Sequence, residues 1–276
     1  MGKSIVVSST DCILKYARSR VSGNVIEVRR YEKMNSKMPI TKIDELRYMV
    51  NSTGEVLEYQ KTDNRSDNLY GLSVSMSNLR SILNENFSGS SSEVWATFTY
   101  RENMQDSKRL YVDWMKFWKR LKYENPDTPL EYVTIAEPQK RGAWHLHCLV
   151  KRTDKKPLFL PQKALLALWG HGGVNIKRLD SSDNIGAYLS AYLSNLPTDS
   201  TTETEKSYAK GARLHLYPPG MNFYRCSRGI NKPEWQKKNA ASSVGAPVYR
   251  KIIKIENDAG EHVQTIEYLQ YNTKRH

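Results

Sequence analysis

Two runs rich in β-branched and apolar residues, EYVTIAE (131–137) and AWHLHCLV (143–150), flank the segment PQKRG, and this pairing constrains the fold more than any other feature. Runs of that composition, bounded by Pro and Gly, read as two antiparallel strands of a hairpin. Side chains alternate between faces along a strand, so His145 and His147 project together, with Leu146 on the other side. A five-residue loop predicts a register in which Glu137 faces Ala143, Ile135 faces His145 and Val133 faces His147. That register puts Glu137 on the face of both imidazoles. A loop one residue shorter would send the carboxylate to the opposite face.

Two neutral imidazoles and a carboxylate leave open positions on a divalent cation. Such a donor set suits Mn²⁺ or Mg²⁺ that must also grip a phosphate oxygen. A lone His-x-His pair is otherwise an ordinary feature of a strand, so Glu137 is what turns the motif into a ligand set. The three cysteines, Cys12, Cys148 and Cys226, are scattered and lack CxxC spacing, which argues against a zinc finger and for reduced thiols.

Around this hairpin the chain alternates between strand and helix patterns. WATFTY (95–100) reads as a strand. Residues 107–124 place Leu110, Trp114, Phe117 and Leu121 on one face of an amphipathic helix. A helix is expected from Pro161 to Trp169, a strand at VNIKRL (174–179), and a helix at DNIGAYLSAYLSNL (183–196), stopped by Pro197. Upstream, Leu79, Ile82, Leu83 and Phe87 recur at helical spacing, with an end near 89–92. The order predicts an α+β fold on a mainly antiparallel sheet.

Residues 1–24 read as a loosely ordered lead-in, VIEVRRY, LRYMV and EVLEY as short strands, and 61–68 as a linker. Residues 198–213 read as a mobile connection, and VYRKIIKIE with HVQTIEYLQY as a terminal hairpin. The expected division is an N-terminal extension (1–68), a central domain (69–230) and a C-terminal hairpin extension (231–276).

Charge names the partner class. Lys and Arg number 42 against 29 Asp and Glu, a net charge of +13. An excess of this size points to a polyanion, with nucleic acid foremost. No run is apolar enough for a membrane span, and the polar start lacks a signal-peptide core, so the chain is expected to stay in the compartment where it is made, a cytoplasm by its unpaired cysteines. The absence of GxxxxGK[ST] excludes a P-loop motor, should the chain handle DNA.

The helix at 183–196 carries Ile185, Tyr188, Leu189, Tyr192, Leu193 and Leu196 in one stripe, for which core packing is the plain reading. Combined with an upstream metal-binding strand in a basic protein, the two tyrosines become candidate nucleophiles. A phenol, with a pKa of about 10, needs a cation or a base to attack phosphorus.

WATFTY, the His-Leu-His strand preceded by Glu137, and YLSAYLSN match in order the three motifs of the HUH endonucleases. The chain most resembles rolling-circle replication initiators of phage, plasmid and satellite type with a Tyr-x-x-x-Tyr arrangement. FYRCSRGI (223–230) is similar to the family's last core strand. The likeness spans about residues 70–230, and its ordered triple is more specific than any single motif.

The resemblance implies a central antiparallel sheet of about five strands with flanking helices, here with extra N-terminal and C-terminal strand segments. It implies His145, His147 and Glu137 as ligands of Mn²⁺ or Mg²⁺, with Tyr188 matching the nucleophile of one-tyrosine members, Tyr192 the second nucleophile of two-tyrosine members, and either of them open to act first. The substrate would be single-stranded or hairpin origin DNA, nicked and rejoined through a 5′-phosphotyrosine. The family's lysine three residues after its tyrosine is absent here, where Ala191 and Asn195 stand. Conjugative relaxases and single-strand transposases share the chemistry, and a binder that has lost catalysis would share the fold.

Single-strand binders combine basic grooves with stacking aromatics. Trp95, Tyr100 and Trp144 are the stacking candidates, with a core role expected for at least two of them. Lys140, Arg141, Lys177, Arg225 and Arg228 are the candidate DNA contacts.

Overall fold

In a computed structural model, the described residues are 4–6, 14–33, 40–44, 46–51, 53–59, 69–139, 141–179, 184–187, 189, 216–218, 220–238, 246–256 and 259–275. They form an α+β protein that divides into two compact units. Residues 63–233, with Ser22–Asn24, make one unit; Met1–Val21, Val25–Thr62 and Glu234–His276 make the other.

The unit built on residues 63–233 centres on a five-stranded sheet. Its strands are β7 (Glu93–Thr99), β8 (Leu130–Pro138), β9 (Trp144–Arg152), β10 (Val174–Lys177) and β11 (Tyr224–Cys226), in the spatial order β10-β7-β9-β8-β11. Every neighbouring pair is antiparallel.

Helices cover both faces. Trp144, Leu146, Cys148 and Val150 of β9 point one way, with Phe98 of β7 paired opposite Leu146. On that side lie α2 (Ser107–Glu124) and α3 (Gln162–Trp169). Phe98 meets Trp114, Phe117 and Trp169 there at ring-centroid distances of 5.5, 4.7 and 5.4 Å. The amphipathic stripe expected at 107–124 is this contact: Leu110, Trp114, Phe117 and Leu121 are all buried. Asp106 starts the helix by accepting from the Lys108 and Arg109 amides, satisfying donors the first turn leaves without partners. Gly170, left-handed at φ 71°, ends α3.

On the other face lies α1 (Leu69–Asn86), ten residues longer at its start than the Leu79 stripe implies. Lys151, which shares the face of His145 and His147, donates to Asn86 Oδ1 at 2.8 Å. Ile185, Gly186, Ala187 and Leu189 are helical, and the Gly186 amide donates to Asn84 Oδ1 of α1 at 2.6 Å. A Cβ on Gly186 would stand 2.5 Å from the Arg80 carbonyl oxygen, so glycine permits this close approach.

The other unit joins the two ends of the chain. Its six-stranded sheet comprises β1 (Ser4–Val6), β2 (Tyr16–Ser22), β3 (Val25–Tyr31), β12 (Gln236–Lys238), β13 (Tyr249–Glu256) and β14 (His262–Asn272), in the order β1-β13-β14-β3-β2-β12. The expected terminal hairpin is β13 and β14. The expected loose lead-in is corrected: Ser4–Val6 and Tyr16–Ser22 are strands. In YARSRVS the buried alternate positions include Ala17 and Ser19, too small or polar to write an apolar rhythm. A separate three-stranded sheet holds β4 (Ile40–Lys42), β5 (Arg47–Val50) and β6 (Val56–Glu58).

Most of the expected linker at 61–68 and of the connection at 198–213 lies outside the described residues. Among the described residues, no helix is long and apolar enough to cross a membrane.

Candidate metal centre

The β8–β9 hairpin carries the site, in a register that differs from the expected one. Glu137 is opposite His145, Ile135 opposite His147, and Pro138 opposite Trp144. The loop is still five residues long but runs from 139 to 143 instead of from 138 to 142. The loop closes through the Gln139 amide donating to the Ala143 carbonyl at 2.8 Å and the Gly142 amide donating to Gln139 at 2.9 Å. Gly142 sits at φ 85°, a left-handed turn that suits glycine. The slip is by two residues, an even number, so Glu137 stays on the imidazole face.

There the three side chains converge. Glu137 Oε2 lies 3.1 Å from His145 Nε2 and 2.9 Å from His147 Nε2. One ligand atom from each lies within 4.8 Å of the others. His147 is buried, while His145 and Glu137 are partly open to solvent. This set of two nitrogens and one oxygen, approachable from one side, fits a divalent cation that keeps positions free.

A second layer holds the rings. Thr97 Oγ1 is 3.1 Å from His147 Nδ1, and Gln139 Nε2 is 3.3 Å from His145 Nδ1. Each ring is thus engaged at Nδ1 and presents Nε2 toward Glu137. Gln139 is itself held by Arg141, whose Nε donates to Oε1 at 3.0 Å. Neither Thr97 nor Gln139 stood out in the sequence. Thr97 follows from the period of two in WATFTY only once β7 is known to pair with β9, Thr97 facing His147.

Electrostatics favour the ligating forms. Burial works to raise the Glu137 carboxyl, but hydrogen bonds and charge from His145 and His147 outweigh it and hold it down at about 2. Burial pushes the His147 imidazole below its ordinary value; Glu137 opposes this, and the charges of His145 and Lys177 add to it. A carboxylate and a neutral imidazole are the states a metal takes.

The remaining candidates divide. Lys177 pairs with Trp95 on the triad's face, exposed, its Nζ 5.6 Å from the Trp95 ring centre. Arg141 is exposed at the hairpin loop. Arg228 is exposed in the turn after β11.

Trp95, Tyr100 and Trp144 are corrected as stacking candidates, since all three are buried. Trp95 lies behind His147, their ring centres 6.2 Å apart. Trp144 points to the opposite face and donates its Nε1 hydrogen to the Gln105 carbonyl at 2.8 Å. Tyr100 packs on Trp169 and donates to buried Asp113 at 3.1 Å; burial and that carboxylate push its phenol well above the usual range. Large rings bury more apolar area than any other side chain, and here the core claims them. Arg225, exposed on β11, lies on the other face of the sheet. It pairs with Thr134 and therefore points away from the triad, its guanidinium 3.5 Å from the ring centre of Tyr111 on α2.

Lys140, Tyr188 and Tyr192 lie outside the described residues. The flanking Ile185 and Leu189 are buried, as the stripe predicted.

No curated protein and no solved structure matches the chain. Residues 93–197, which include Glu137, His145, His147 and both tyrosines, match the family model described as replication-associated protein ORF2/G2P, a similarity that supports a replication-initiating protein.

Proposed function

We propose that the chain is a rolling-circle replication initiator, a metal-dependent nickase that cuts single-stranded or hairpin origin DNA at one phosphodiester and later rejoins it. The convergence of Glu137, His145 and His147 on one point carries this reading, in a segment similar to replication-associated proteins. The nuclease domain is taken as residues 69–230, with 1–68 and 231–276 as extensions.

Glu137, His145 and His147 would hold Mn²⁺ or Mg²⁺, which supplies Lewis-acid polarisation of the scissile phosphate when bound. Thr97 and Gln139 keep the two rings turned toward the substrate face. The Tyr188 phenol gives up its proton and its oxygen bonds to phosphorus. The bond from phosphorus to the 3′ oxygen breaks, and that oxygen takes up a proton to become a 3′-OH that primes synthesis. Tyr192 serves as second nucleophile in the strand transfer that restores a closed strand. Lys177, on the same face, offers a charge to the phosphate where Ala191 and Asn195 offer none. Unwinding and synthesis are left to a host helicase and polymerase.

The test is incubation with Mn²⁺ and an origin-containing single strand, followed by denaturing electrophoresis. A covalent protein–DNA adduct mapped to one phosphodiester, absent without metal and lost in Tyr188→Phe or in the double variant with Tyr192→Phe, is the expected result. Tight binding without any cleavage would overturn the enzymatic reading in favour of a binder.

A further inference from the structure

The six-stranded sheet lies outside the segment similar to replication-associated proteins and holds none of the triad. One of its faces carries a row that crosses five strands, with a cation on four of them and a tyrosine on the fifth. Lys237 of β12 is opposite Arg18 of β2; Arg29 of β3 is opposite Tyr268 of β14, which is in turn opposite Lys251 of β13. Arg18 joins this face through its neighbour Arg20, two residues on, whose Nε donates to Glu27 at 2.8 Å, while Glu27 lies two residues before Arg29. With strands about 4.8 Å apart, the row is about 19 Å long.

Aromatic rings stand among these charges. Trp235 stacks with the guanidinium groups of Arg20 and Arg29, at 4.7 and 4.5 Å from its ring centre, and the Arg29 guanidinium also lies 6.0 Å from that of Tyr268. Tyr16, beside Arg18 on the same face of β2, is 43 % exposed. Glu27, the acid next to the row, is committed to Arg20 and to the Tyr268 hydroxyl, which donates to it at 2.7 Å. Arg18 and Lys237 are exposed, so their charges face solvent.

We propose that this face binds single-stranded DNA, with the strand running across the β-strands. Its phosphates meet the cations of β12, β2, β3 and β13, while the open ring of Tyr16 accepts a base. The charge pattern fits a polyanion, and aromatic side chains interleaved with Arg and Lys favour unstacked bases over a duplex, whose bases are already stacked. The surface would hold the strand independently of cleavage.

The test uses the full chain and a fluorescein-labelled 20-nucleotide oligo(dT), with anisotropy followed across a salt series. Arg18→Glu/Lys237→Glu is expected to weaken binding about tenfold or more and to reduce the slope of log affinity against log salt by about 1.4, at about 0.7 per phosphate contact. Tyr16→Ala is expected to weaken the single strand and leave a duplex of equal length unaffected. Mn²⁺ binding by the triad and the unfolding temperature should be unchanged in both variants, which separates this surface from the proposed nuclease centre. Wild-type affinity and slope in the double variant would overturn the proposal. A wild-type preference for duplex, lost in the same variant, would overturn the choice of single strand.

Discussion

Thr97 and His147 stand directly opposite each other on neighbouring strands, with the Thr97 hydroxyl 3.1 Å from His147 Nδ1. Glu137 is on the far side of the same ring, 2.9 Å from Nε2. The ring is therefore clamped between a hydroxyl and a carboxylate, and its free rotation is removed before any ligand arrives. Thr97→Val keeps the shape and deletes the clamp. Mn²⁺ affinity measured by calorimetry should fall about tenfold or more, the usual effect of losing such a partner, while the fold persists. Unchanged affinity would mean that packing alone orients His147.

Acid should remove the metal through the imidazoles. Glu137 keeps its charge down to about pH 2, whereas the imidazoles must be neutral to ligate. Mn²⁺ affinity is expected to hold at neutral pH and to fall in acid, while the Glu137 carboxyl is still charged. The low-lying His147 delays that loss. Affinity that stays constant down to about pH 2, where the Glu137 carboxyl takes up its proton, would contradict this assignment. Glu137→Gln should weaken binding at every pH.

Gly186 is the narrow point between α1 and the residues leading to Tyr188. Gly186→Ala drives a methyl group to within 2.5 Å of the Arg80 carbonyl, so backbone must move. Destabilisation of about 1–3 kcal/mol is expected from such overpacking. Chemical denaturation gives the value, and adduct yield at a temperature where the variant stays folded should drop as well. Wild-type stability would mean that the two segments separate at little cost.

Trp144 gives the contrast between core and contact. Trp144→Phe deletes the hydrogen bond to the Gln105 carbonyl and should cost about 1 kcal/mol of stability in denaturant unfolding. Single-strand affinity should match wild type, since the ring is buried on the side away from the triad. A large loss of DNA affinity at unchanged stability would restore it as a base contact.

Much of the metal centre was legible because it depends on parity. His145 and His147 share a face whatever the loop does, and Glu137 joins them in any register that slips by an even number. The exact rung was not legible, since it is set by hydrogen bonds of Gln139 and Gly142 that no hydrophobic pattern encodes. Helix 107–124 was readable to its ends because Asp106 caps it and its apolar stripe is continuous. The aromatic candidates were less readable. Trp95, Tyr100 and Trp144 look alike in sequence whether they meet a base or a neighbouring ring, and only tertiary packing decides. Strand β2 was missed because it is stabilised by partners far away in the chain, β12 among them, and its own residues carry little apolar signal.

Strand β14 lies between β13 and β3, so a segment made well after the triad occupies the middle of a sheet that also holds strands made before the triad. On the ribosome, Tyr16–Tyr31 must wait for His262–Asn272 to emerge before that sheet can close. The contiguous stretch that holds the triad needs no such delay. A nascent chain would pass through a stage in which the sheet that carries the triad is already folded and the six-stranded sheet is not.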